Sequence, residues 1–336
     1  MAMSDKVLNQ ASGENWTCIN GDCVDALATM PENSIGYSIY SVPFLALYVF
    51  SSSERDFSNC KTKEEFFEQM RFMARHLLRA TKPGRLTSIH CVNLSKTINT
   101  HGRIGIYDFR GDLIRLFEEE GWIYHAEVCI WKDPVMAMHR TKSIGLLHKQ
   151  VVKDSALSRQ GLPDYLVTLR KAGTNAEPIH GEFTEYIGEE SGESFEAKYR
   201  KAWHERAAGD ASEFRKFASA KSIQIWQRYA SPVWMDINQT ESIQNRGAVP
   251  YRACAGEDDE KHICPLQPQV IQRGIELWSN EGDIVLTPFM GIGSECYVAL
   301  EMGRRAIGIE LKKEYYDQAV ENCHIAERKL KEKLLL

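Results

Sequence analysis

Ser41, Val42, Pro43 and Phe44 place a hydroxyl, a main-chain carbonyl, a proline and an aromatic ring side by side, directly after an apolar run at 34–40 that reads as a strand. An amino group conjugated to a heterocyclic base is a poor nucleophile, because its lone pair is delocalised into the ring. Two acceptors on its N–H bonds can draw the nitrogen toward tetrahedral geometry and free that lone pair to attack a sulfonium methyl. Ser41 Oγ and the carbonyl of residue 42 are candidates for these acceptors, and Phe44 for a ring that stacks on the base. The carboxyl end of a strand is also where open α/β sheets bind ligands. Taken alone, the tetrapeptide reads as a strand terminator.

A second constellation lies near the other end of the chain. Residues 284–286 read as a buried strand and run into Thr287, Pro288, Phe289, Met290, Gly291, Ile292 and Gly293, then a helix at 294–302 and a strand at 306–309 that ends in Glu310. Glycines let a backbone approach a ligand, a helix N-terminus offers free amides, and an acid about 20 residues on can accept from ribose hydroxyls. Cys296 stands where a dinucleotide fingerprint has its third glycine, so the pattern favours a smaller nucleoside ligand over NAD. A glycine turn that serves packing alone stays open at this point.

Short apolar runs alternate with amphipathic helices, the pattern of an α/β sheet. Residues 16–20 read as a strand and 23–30 as a short helix stopped by Pro31. Apolar Phe66, Phe67, Met70, Met73, Leu77 and Leu78 recur at helical spacing over 63–80. Lys82, Pro83 and Gly84 then read as a turn into a strand at 85–92. A helix at 112–120 precedes a strand at 122–131 that can pair with 165–170. The stretch from about 171 is polar and irregular, with helices expected at 194–208 and 212–229. Strand and helix logic resumes after Pro265, with a helix at 269–278 and a last one at 315–336.

The 336 residues carry a net charge of −5, which argues against a protein that coats nucleic acid over its whole surface. One stretch runs the other way. Residues 132–162 hold Lys132, Arg140, Lys142, Lys149, Lys153 and Arg159 against only Asp133 and Asp154. On charge alone this is either a phosphate-binding insertion or a solvated face. Nine scattered cysteines without a CxxC pair read as reduced thiols rather than metal ligands. No apolar run approaches the ~20 residues of a membrane span, and no signal-peptide layout opens the chain, so a cytoplasmic protein is expected.

In order along the chain, these residues resemble the β-class amino methyltransferases of DNA, the N4-cytosine and N6-adenine methylases of bacteria and phages. That family has its catalytic motif first, a target-recognition region next and its cofactor motif last. Ser41, Val42, Pro43 and Phe44 resemble its Ser/Asp/Asn-Pro-Pro-aromatic motif, and Asn20, Gly21, Asp22 and Cys23 its entry motif, whose acid contacts the cofactor's adenine. Pro288, Phe289, Gly291 and Gly293 resemble its Asp-Pro-Phe-x-Gly-x-Gly loop, and Glu310 its ribose-binding acid. Pro265 and Gln267 look like part of a Pro-Thr-Gln-Lys-Pro motif closing the cofactor pocket, and residues 233–237 like the segment ahead of it. Trp131 and Lys132 fall where the family has a strand end beside the base pocket.

The resemblance implies a Rossmann-like class I S-adenosylmethionine-dependent methyltransferase: α/β, with a mixed, mostly parallel sheet, helices on both faces and a circularly permuted motif order. Residues 1–170 would form the catalytic half, including the basic insertion, 171–261 an inserted target-recognition region, and 262–336 the cofactor-binding half. The implied reaction moves a methyl group from S-adenosylmethionine to the exocyclic amino group of a base flipped out of double-stranded DNA, site-specifically. Arg140, Lys142, Lys149 and Arg159 are the candidate phosphate contacts, and the 45–59 loop is expected to close over the base. Ser41 is commoner among cytosine enzymes of the family, but both bases stay open. A homodimer and a cognate restriction enzyme are partners the family admits; no metal or membrane is implied. The alternatives are an RNA methyltransferase or a catalytically weakened binding protein of the same fold.

Three departures from the family pattern matter: Val42 for its first proline, Thr287 for its acid and Pro268 for its lysine. Valine also carries the carbonyl the chemistry needs, and Pro43 already favours extended geometry at residue 42. Val42→Pro is therefore expected to leave transfer near or above its starting level. Thr287 removes an acid that would pair with the methionine ammonium, so cofactor affinity is expected below the family norm.

Overall fold

The structure, a computed structural model, describes residues 7–43, 57, 60, 62–96, 101–141, 146–180, 226–250 and 266–334. Its strands are β1 (Val7–Ser12), β2 (Trp16–Gly21), β3 (Ile35–Ser41), β4 (Thr81–Val92), β5 (Leu94–Lys96), β6 (Gly105–Tyr107), β7 (Trp122–Ile130), β8 (Asp164–Lys171), β9 (Val233–Trp234), β10 (Ile284–Thr287) and β11 (Arg305–Glu310). Its helices are α1 (Cys23–Thr29), α2 (Lys63–Ala80), α3 (Phe109–Glu119), α4 (Pro134–Thr141), α5 (His148–Lys153), α6 (Pro268–Trp278), α7 (Ser294–Glu301) and α8 (Lys313–Leu334).

One nine-stranded sheet carries the fold, in the order β1-β2-β11-β10-β3-β4-β8-β7-β9. Strands β2, β11, β10, β3 and β4 are mutually parallel. β8 runs antiparallel to both β4 and β7, and β1 is an antiparallel edge strand on β2. Parallel strands need both faces covered, and here they are. Apolar residues of α1, α2 and α3 pack on one face, and those of α6, α7 and α8 on the other. Helix α2 shows how sequence drives this. Thr62 caps it by accepting from Glu65 N at 3.1 Å, and Phe66, Met70, Met73, Ala74 and Leu77 form one buried stripe.

Within the described residues the expected elements are present with shifted ends, and four differences have physical reasons. Residues 82–84 are not a turn between elements: the β3–β4 ladder runs from Ile35 opposite Thr81 to Tyr37 opposite Leu86, so the intervening residues bulge within one strand. β1 escaped sequence reading because it is a polar, mostly exposed edge, and β5 and β6 because three residues carry no period. Finally, Val233 and Trp234, placed by sequence in the inserted region, extend the main sheet beside β7, with Trp234 1% exposed. The residues that follow are tied to α8 and α7, through Val249 N to Asn322 Oδ1 at 2.9 Å and Tyr297 Oη to the Arg246 carbonyl at 2.7 Å. The helix expected at 194–208, most of that at 212–229 and nearly all of the 45–59 loop lie outside the described residues.

Candidate active site

Ser41 ends β3 at the carboxyl edge of the parallel strands, opposite His90 of β4. Its Oγ lies 2.9 Å from His90 Nδ1. On the far side of the ring, His90 Nε2 is 3.0 Å from Asp164 Oδ2 at the start of β8. Asp164 Oδ1 in turn is 2.6 Å from Lys132 Nζ, just past β7. Neighbouring strand ends thus line up a hydroxyl, an imidazole, a carboxylate and an ammonium. His90 and Asp164 are 7% and 2% exposed, so the middle of the row is buried in the sheet. The two Asp164 contacts are close approaches of polar atoms rather than linear hydrogen bonds. Burial pushes the Asp164 carboxyl up, but His90 and Lys132 outweigh it and hold the group below the usual carboxylate value.

Val42 differs from the expectation. Its side chain is 1% exposed in the α1–α2 core, and its N–H donates to the His90 carbonyl at 3.3 Å. A proline cannot make that bond, so Val42→Pro loses one ladder contact.

Across β10 and β11 lies the glycine loop. Glu310 Oε2 accepts from Gly291 N at 2.7 Å, and Oε1 from Lys312 N at 2.9 Å. Gly291 has φ +53° and open space where a Cβ would stand, which fits close approach of a ligand. Gly293, at φ +87°, faces Ala319 of α8, with a Cβ position only 3.1 Å from the alanine Cβ; packing accounts for this glycine. Thr287 Oγ1 and Ser294 Oγ bracket the loop, and Gln267 Oε1 sits at the start of α6. All three are buried without a hydrogen-bond partner among the described residues. Orphaned buried polar atoms are costly, and a polar ligand at this loop would supply partners.

The entry motif is tied to the same edge. Asn20 Nδ2 donates to the carbonyls of Glu310 and Leu311 at 2.8 and 3.0 Å. Asp22 caps α1, its Oδ1 accepting from Val24 N at 2.8 Å and Asp25 N at 3.2 Å. Cys23 is buried in the core, and burial followed by the Asp22 charge pushes its thiol well up, which suits packing rather than ligand contact. Pro268 occupies the first turn of α6, where a missing N–H costs nothing, so this departure from the family has a local structural reason.

The two halves meet at the point where strand order reverses. From β10 the chain proceeds through α7 outward to β11, and from β3 through α2 the opposite way to β4. Open α/β sheets bind ligands at such a switch point. Phe289 of the loop bridges the halves, its ring 5.8 Å from Tyr40, next to Ser41, and 5.4 Å from Phe57. Among the remaining candidates, Trp131 is 40% exposed at the end of β7 and Lys149 is exposed on α5. Arg159 is half-buried and donates to the Gln160 carbonyl at 3.1 Å, while Lys132 faces Asp164. Arg140 lies in α4, its side chain outside the described residues, as are Phe44, Lys142 and Pro265. Sequence reasoning missed His90 and Asp164. Neither has a motif spacing, and only strand register brings them to Ser41.

The family model described as DNA methylase, for N6 and N4 methyltransferases, matches residues 39–321, from before Ser41 to beyond Glu310. The chain belongs to this DNA methylase family. Over 76 residues, this DNA methylase family member is 46% identical to the orphan methyltransferase M.BamHII of Bacillus amyloliquefaciens, a stretch covering 23% of this chain and 26% of that protein. It is 48% identical over 90 residues to the type II methyltransferase M.HpaI of Haemophilus parainfluenzae, covering 24% of this chain and 28% of that protein. The chain therefore spans about a quarter of the length of these curated relatives. Solved structures match far more of it. The cytosine-N4-specific PvuII DNA methyltransferase superposes with a TM-score of 0.56 at 16% identity, covering 97% of this chain and 93% of that one. A Thermus thermophilus protein crystallised with S-adenosyl-L-methionine gives 0.57 at 18%, covering 91% and 92%. These likenesses bear out the class I methyltransferase fold.

Proposed function

We propose that this chain transfers a methyl group from S-adenosylmethionine to the exocyclic amino group of a base flipped from double-stranded DNA. The observation that carries the reading is the placement of Ser41 across the switch point from the Gly291 loop, with Phe289 and Tyr40 packed between them. On this reading Glu310 takes the ribose hydroxyls, Gly291 and the start of α7 the methionine end, and Asp22 the adenine edge. Bound there, S-adenosylmethionine supplies an electrophilic methyl on sulfur. Ser41 Oγ and the Val42 carbonyl accept from the target N–H bonds and localise the nitrogen lone pair. Phe44 is assigned the stacking contact through the family resemblance.

Three measurements test this. Isothermal titration reads S-adenosylmethionine binding, tritium transfer to unmodified genomic DNA reads turnover, and long-read sequencing of DNA from expressing cells reads base and site. Ser41→Ala is expected to lower transfer by about 10²–10³, the usual cost of one transition-state hydrogen-bonding group, with cofactor binding retained. Cofactor binding without transfer by the unaltered protein would instead favour a binding module, and transfer to RNA alone would overturn the DNA reading.

A further inference from the structure

A serine hydroxyl both donates and accepts, and its hydrogen rotates to suit its neighbours. The proposed chemistry needs it in one role only, with a lone pair toward the target amino group. Something must therefore hold the hydrogen away. His90 is the group within reach, its Nδ1 2.9 Å from Ser41 Oγ.

We propose that His90 is a positioning residue that fixes the Ser41 hydroxyl as an acceptor, with Asp164 and Lys132 selecting the imidazole tautomer that does so. A neutral imidazole carries one N–H, and the neighbour of each nitrogen decides which. The Asp164 carboxylate can only accept, and it lies 3.0 Å from Nε2. It therefore favours the proton on Nε2 and leaves Nδ1 as an acceptor. Ser41 must then donate its O–H to Nδ1, turning its hydrogen into the sheet and its lone pairs toward the crevice. Lys132, at 2.6 Å from the other carboxylate oxygen, keeps Asp164 charged.

Protonation of His90 reverses the arrangement. An Nδ1–H would donate to Ser41 Oγ, occupy one lone pair and free the hydroxyl hydrogen to face the amino group, donor against donor. Activity should then fall on the acid side. Among the described residues, the charged groups facing the ring are Asp164 from β8 and Lys132 from beyond β7, with Ser41 the polar neighbour from β3. On α6, packed over the same face, Arg273 is paired with Asp236 at 2.7 Å and Glu276 accepts from Tyr229. Neither is drawn to His90.

This inference rests on Ser41 being an acceptor for the target, and the test separates the two ideas. The rate of tritium transfer from S-adenosylmethionine to unmodified genomic DNA is followed from pH 5 to 9 for the unaltered protein, His90→Asn, His90→Leu, Ser41→Ala and the Ser41→Ala/His90→Leu pair. Asparagine places an acceptor oxygen near the Nδ1 position but does not titrate. His90→Asn should keep most of the plateau rate and lose the acid limb. His90→Leu should lower the plateau about tenfold, the scale of one hydrogen bond, with cofactor affinity unchanged. The double variant should be no slower than Ser41→Ala. Nitrogen-15 spectra of the unaltered protein, with His90 identified from the His90→Asn spectrum, should show the proton on Nε2, a readout that needs no active variant. A proton on Nδ1, an acid limb that survives in His90→Asn, or full activity in His90→Leu overturns the role of His90. Full activity in Ser41→Ala overturns the parent reading instead.

Discussion

Glu295 is the residue whose ionisation the fold alters most visibly near the cofactor loop. It is 4% exposed in the first turn of α7. Burial pushes its carboxyl up to about 8; its own backbone amide pulls the other way, and the Glu310 charge adds to the rise. In the unfolded chain it ionises near the ordinary glutamate value, so between that pH and about 8 the folded state holds a proton the unfolded state has lost. Its contribution to stability is complete at low pH and drains away as pH rises through that window. Replacement by glutamine removes the titration. Melting temperatures of the two proteins at pH 5, 6, 7 and 8 should therefore diverge, with the unaltered protein falling relative to Glu295→Gln. A constant gap would show that the carboxyl is not protonated in the fold.

Helix α7 illustrates how one element serves packing and chemistry at once. Its N-terminus must leave the loop near β11 and lie against α8, and Gly291 and Gly293 share these duties unequally. Gly293→Ala adds a Cβ 3.1 Å from the Ala319 Cβ, on top of a left-handed backbone that costs L-residues roughly 1–2 kcal/mol. Gly291→Ala meets open space and incurs the backbone cost alone. Urea unfolding should rank Gly293→Ala as the less stable variant. Titration calorimetry should find that Gly291→Ala is the one that weakens S-adenosylmethionine binding more per unit of stability lost. The opposite ranking would mean that the ligand approaches Gly293. The β7–β8 hairpin is the other such element. Its antiparallel pairing adds two strands beyond β4 and carries the basic insertion out from the end of β8 that holds Asp164.

At the scale of the whole molecule, a net charge of −5 means that the DNA of the proposed function must be met by a local patch. Among the described residues no helix is long and apolar enough to cross a membrane. Lys149 is exposed on α5 within the basic insertion, whereas Lys132 is committed to Asp164. Lys149→Ala should weaken binding to duplex genomic fragments at low salt. It should also reduce the slope of log affinity against log salt by about 0.9, the loss of one phosphate contact. An unchanged slope would move the phosphate-binding surface elsewhere. The same contrast shows what sequence conveys. It delivered the α/β alternation, both motif clusters and most strands and helices, because each is a local pattern of period or punctuation. It misread residues 82–84 as a turn, because a bulge is decided by the neighbouring strand.

By itself the sequence determined that Ser41 ends a strand, that Glu310 follows a glycine loop, and that the motif order is that of a permuted methyltransferase. Composition, period and spacing are properties of the chain and survive without coordinates. Only tertiary structure decided that His90 and Asp164 stand beside Ser41, that Val42 belongs to the core and the ladder, and that Gly293 serves packing while Gly291 faces open space. Those facts arise from register between strands far apart in the chain, β3 with β4 and β4 with β8, which no local pattern encodes. The chemistry of the site is therefore written in short motifs, whereas the direction in which the Ser41 hydrogen points is set by how the sheet is assembled.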